Sequence, residues 1–101
     1  MLILSRQVDE SIVVGRDVVV TPTDIDASGA RVIARGTMVG GANDGGRFEA
    51  VHELAPGQSF HLGPMIVVTL VEVRGGFARL GVHAPKSMSV RRKEIADRGA
   101  A

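Results

Sequence analysis

The 101-residue chain contains no cysteine, so it can form neither a disulfide nor a thiolate metal site, a pattern that favours a reducing compartment. It also has no Trp and no Tyr, and its three Phe are scattered at positions 48, 60 and 77. Rows of aromatic side chains for stacking bases are thereby excluded, and any contact with nucleic acid must use other groups. The longest apolar run, residues 65–71, is interrupted by Thr69 and falls far short of the roughly 20 residues a membrane helix needs. The opening MLILSRQ lacks the basic start, long apolar middle and small-residue cleavage site of a signal peptide. These absences predict a soluble, cytoplasmic protein with no membrane partner. The length allows one small domain, too short for a large enzyme scaffold.

Charge is scarce in sum but uneven in place. From residue 84 onward, Lys86, Arg91, Arg92, Lys93 and Arg98 outnumber Glu94 and Asp97, while the preceding 83 residues are slightly acidic. A basic end on an acidic body suggests a local anion-binding patch; the alternative is a solvated terminal helix. Strand signals dominate the rest. Residues 12–14, 18–21, 30–34, 65–73 and 77–82 are rich in β-branched side chains and separated by Gly, Asp, Ser and Pro, which argues for an all-β fold of mainly antiparallel strands. Arg74-Gly75-Gly76 and Asp26-Ala27-Ser28-Gly29 supply hairpin turns. Only residues 91–98 suggest a helix, short and C-terminal, with Ser89 available as an N-cap.

The sequence also repeats itself. With a shift of 48, Ser11, Gly15, Val19, Val20, Thr21, Ala30 and Arg31 fall on Ser59, Gly63, Val67, Val68, Thr69, Ala78 and Arg79, without a gap over residues 11–35. Conservative pairs, such as Val14 with Leu62 and Asp24 with Glu72, fill the intervals. This predicts two copies of one unit, at 1–35 and 47–95, joined by a flexible connector at 36–46 that holds five glycines. Each copy is too small to build its own core, so the two should pack together as a single-chain pseudo-dimer. A homodimer of full chains is the fallback.

The opening MLIL-x-R and the closing APK-x-x-SV-x-R-x-EI, at residues 84–95, resemble the carbon storage regulator (CsrA/RsmA) family of bacterial RNA-binding translational regulators. The resemblance implies an interlocked β dimer in which the first strand of one subunit lies beside the last strand of the other. It implies recognition of GGA-containing hairpin loops in mRNA or small regulatory RNA, with a protein antagonist as a further partner class. Carried over by position, the contacts are Leu4, Ser5, Arg6 and Gln7 on the first strand. On the last strand and the start of the helix they are Ala84, Pro85, Lys86, Met88, Ser89, Val90, Arg91 and Arg92. Gln7 and Asp9 depart from the family pattern.

The physical chemistry is compatible with that implication. Strand-edge N–H and C=O groups can read the base edges of a single-stranded loop, Leu4 and Val90 can seat purine faces, and Arg6, Arg91 and Arg92 can grip phosphate or a guanine edge. Leu4 and Val90 are equally suited to the core. Other chemistry is weak: His52, His61 and His83 lack ligand spacing, Gly75-Gly76 opens no helix, and Asp24 and Asp26 flank a turn. No enzyme, cofactor or metal is expected. The competing function is a protein-interaction module that keeps the fold but has lost RNA binding.

Overall fold

The computed structural model describes residues 1–94. Among them the chain forms nine strands: β1 (Leu2–Arg6), β2 (Ile12–Val14), β3 (Val18–Asp26), β4 (Gly29–Thr37), β5 (Arg47–Leu54), β6 (Ser59–Leu62), β7 (Ile66–Arg74), β8 (Phe77–His83) and β9 (Val90–Arg92). They make two antiparallel sheets, one in the order β1-β8-β7-β6 and the other β5-β4-β3-β2-β9. The all-β expectation from composition is met. Alternation explains the layering: Val18, Val20 and Pro22 of β3 and Ile66, Val68 and Leu70 of β7 point inward, with Val32 and Ala34 of β4 and Leu80 and Val82 of β8. β4 lies against β7 and β3 against β8, closing a core in which each fully buried aliphatic contributes about 1.5–3 kcal/mol.

Neither sheet is built from one stretch of chain. Leu2 at the start faces Val82 near the end, Arg92 faces Ile12, and Leu54 faces Ala30. The 48-residue spacing recurs in this geometry. β3 and β7 have matching bounds, and both carry a bulge, between Pro22 and Asp24 and between Leu70 and Glu72. Ser11 and Thr21 share a hydroxyl hydrogen bond of 2.6 Å, and Ser59 and Thr69 one of 2.7 Å. The spacing continues where the sequences no longer match. Asp9 N–H donates to Pro22 O at 2.8 Å and Gly57 N–H to Leu70 O at 2.6 Å, while Gln7 and Ala55 each donate to a side chain three residues on, Glu10 and Gln58.

Three expectations need correction. Arg91 and Arg92 belong to a strand, not to the helix proposed for 91–98. The edge of β2 offers a ladder that Gly15 N–H to Ser89 O (2.7 Å) and Lys93 N–H to Ser11 O (3.0 Å) bracket at either end, and this outweighs local helix propensity. Ser89 is consequently no N-cap; the chain turns helical at residues 93–94, and the remainder of the proposed helix lies outside the described residues. The connector is also shorter and more ordered than its glycines suggest. Gly36 and Thr37 continue β4, and residues 38–46 close a hydrogen-bonded turn in which Met38 N–H donates to Gly46 O at 2.8 Å and Gly45 N–H to Met38 O at 2.9 Å. Asp44 accepts from Gly40 N–H at 2.6 Å, which fastens the glycines in place. Finally, β5 and β6 are strands that the charged, short segments concealed.

Candidate nucleic-acid interface

β1 and β9 sit on different sheets, each at an outer edge, and they share no ladder. Arg6 joins them. Its guanidinium donates to both carboxylate oxygens of Glu94, Nη1 to Oε1 at 2.8 Å and Nη2 to Oε2 at 3.1 Å, and Nη1 also donates to Ser11 O at 3.1 Å. Ser11 O in turn accepts from Lys93 N–H at 3.0 Å. First strand, β2 and the end of β9 are thus tied at one carbonyl and one two-pronged ion pair, the geometry in which arginine holds a carboxylate most firmly. The Glu94 carboxyl is pulled down to about 2 by the Arg6 hydrogen bonds, its own backbone N–H and the Arg6 and Arg92 charges.

The expected site residues divide by exposure. Ser5, Gln7, Lys86, Ser89, Arg91 and Arg92 are exposed; Ala84, Pro85, Met88 and Val90 are half-buried; Leu4 and Arg6 are buried. Arg6, at 4% exposure, donates to Glu94 and Ser11 and so ties the strands together. Leu4 is a core residue, as one of its two readings allowed. Pro85 and Met88 form a turn, Met88 N–H donating to Pro85 O at 2.9 Å, that presents Lys86 to solvent. Gly15, at φ +65°, lets Met88 approach: a Cβ there would stand 3.1 Å from Met88 Cγ. Ala84, Met88 and Val90 pack on the core, which fixes the backbone from which Arg91 and Arg92 project.

Sequence reasoning missed Glu94 and Ser11 as positioning residues. Glu94 lay inside the quoted closing motif, but nothing local ties it to an arginine 88 residues away. The histidines stay apart: His52 stacks on Phe60 with ring centroids 4.0 Å apart, and His61 and His83 are exposed. Arg31 pairs with Glu53 at 2.7 Å and Arg79 with Glu72 at 3.6 Å.

Residues 55–100 match the model of CsrA, the global regulator protein family. Over that segment the chain is similar to the CsrA family. Its curated relatives carry the name translational regulator CsrA. The protein of Nocardioides sp. is 49% identical over 39 residues, covering 39% of this chain and 47% of the relative. That of Syntrophomonas wolfei is 41% identical over 39 residues, covering 39% and 51%. That of Pseudarthrobacter chlorophenolicus is 37% identical over 42 residues, covering 42% and 54%. The chain thus spans about half the length of the curated relatives it matches. No solved structure matches. The CsrA segment contains β6 to β9 and therefore Lys86, Arg91, Arg92 and Glu94, whereas Arg6 on β1 lies outside it. No helix among the described residues is long and apolar enough to cross a membrane.

Proposed function

We propose that the chain is a post-transcriptional regulator that binds RNA hairpin loops carrying GGA through a single composite site made by β1 and the residues 84–92. The observation that carries this reading is the Arg6–Glu94 bridge, which sets an exposed first-strand edge beside an exposed basic last strand. Lys86, Arg91 and Arg92 offer cationic donors for phosphate and guanine, and the outer edges of β1 and β9 offer backbone groups for base edges. The names of the curated relatives support the regulatory role.

In the same reading the chain is a fused pseudo-dimer, with units at 1–35 and 47–95. The family's second site has been lost. By the 48-residue shift Arg6 corresponds to Leu54, and among the described residues no strand like β9 lies on the edge of β6; the turn at 38–46 stands there with Asp44 and no cation.

Calorimetric titration with a short GGA hairpin tests the proposal. Saturation at one RNA per chain is expected, with binding lost to a hairpin of scrambled loop and a salt slope of roughly −0.7 per phosphate contact. Two RNAs per chain would show the turn region to be a second site. Equal affinity for both hairpins, or none for either, would favour the protein-interaction module.

A further inference from the structure

Among the described residues the two sheets have four edges, and one of them differs from the rest. β1, β6 and β9 run for five, four and three residues, whereas β5 runs for eight without proline or lysine. Its outward row is Arg47, Glu49, Val51 and Glu53; the Arg47 and Glu53 side chains are 74% and 72% exposed, and Val51 is 56% exposed. A long regular edge of this kind presents unpaired N–H and C=O groups to any complementary strand.

We propose that β5 pairs edge to edge with β5 of a second copy of this chain, antiparallel about Ala50. The charges select that register. About Ala50, Arg47 falls opposite the partner's Glu53 and Glu49 opposite the partner's Val51, so both ends of the pairing gain an opposite-charge pair. Moving the axis to Glu49 sets that residue against the partner's Glu49, and moving it to Val51 sets Glu49 against the partner's Glu53. Half-residue shifts pair inward with outward positions and bring Leu54, now buried, to the surface. On the inner face, Phe48 meets the partner's His52. The product is a continuous sheet twice the width of the five-stranded one, with β9 at both far ends and every β9 edge unobstructed. This pairing shares no residue with β1 or β9, so it stands or falls apart from the RNA reading.

Sedimentation equilibrium of the full chain from micromolar to several hundred micromolar, without RNA, tests it. The wild type is expected to pass reversibly to twice the chain mass. Arg47→Glu and Glu53→Arg should each weaken the association at least tenfold, and the double variant should recover it, although the swap restores neither Arg47–Asp17 nor Arg31–Glu53 within the chain. Circular dichroism confirms that each variant is folded. A wild type that stays at one chain mass, single variants that associate like the wild type, or a double variant that fails to recover would each overturn the proposal.

Discussion

The β1–β2 corner and the β5–β6 corner have one backbone and two chemistries. In each, the first strand pairs in the same register with a hairpin strand, the following turn makes the same hydrogen bonds, and a serine on the next segment meets a threonine. Yet Leu4 and Ile12 in one become His52 and Phe60 in the other, Arg6 becomes Leu54, and Glu10 becomes Gln58. The turn even relaxes: Asp9 holds φ +68° in the first corner, where Gly57 holds +90° in the second. Backbone register is therefore fixed by the ladder and the inward alternation, while the identity of the side chains at the corner, buried ones included, is free to diverge. What separates the corners among the described residues is the last strand, β9, which pairs with β2 and has no counterpart on β6.

The largest difference between the corners should appear in stability. Leu4 is 7% exposed among aliphatic neighbours, so Leu4→Ala should cost about 2–4 kcal/mol, whereas His52→Ala, at a half-buried stack on Phe60, should cost only about 1 kcal/mol. Urea denaturation of both variants checks this. Equal losses would mean that the second corner is packed as tightly as the first. The next largest effect is on RNA. Arg92→Ala should weaken GGA-hairpin binding by about 1–3 kcal/mol. Arg79→Ala, which removes an exposed pair with Glu72 on β8, the strand behind β1, should change it much less. Fluorescence titration of the two folded variants decides, and similar affinities would detach Arg92 from the site.

How much of this was legible follows the same division. β3, β4, β7 and β8 announce themselves through runs of valine, isoleucine and leucine bounded by turn residues, and the repeat between them is plain in the sequence. β5 does not, because Arg47, Glu49 and Glu53 dilute its inward row of Phe48, Ala50, His52 and Leu54; the period-two alternation was the signal to follow. β9 is three residues long and exists because β2 offers it an edge, a tertiary cause that local propensity cannot report. Of the proposed site, the exposed cations could be read from the closing motif. The burial of Arg6 could not, since its partner lies 88 residues away.

That pairing gives the third test, which is smaller and sensitive to pH. The Glu94 carboxyl is held near 2 in the fold against an ordinary 4.5, chiefly by the Arg6 hydrogen bonds. A depressed acid stabilises the fold fully above its unfolded value and loses that contribution as pH falls from about 4.5 towards 2. Glu94→Gln should thus lower stability by a constant amount above pH 5 and converge on the wild type at the acid end. No matching acid limb is expected from the second corner, where Leu54 replaces the arginine. Denaturant titrations across that range supply the measurement; a gap that persists at pH 2 would mean that the bridge does not carry the difference.

The smallest effect sharpens the comparison most, because it alters the same hydrogen bond in two settings. Ser11 is 9% exposed, and Thr21→Val would leave its hydroxyl without its partner in a place water reaches poorly, at a cost of about 1–2 kcal/mol. Ser59 is exposed, and after Thr69→Val water can take the place of the threonine, so a few tenths of a kcal/mol is the expected loss. Valine keeps the shape of threonine and its preference for strands, which leaves the hydrogen bond as the main change. Urea midpoints at unchanged slope read both losses directly. A larger loss at Thr69 would show that the β5–β6 corner is closed to water in solution, by a neighbouring segment or by a second chain.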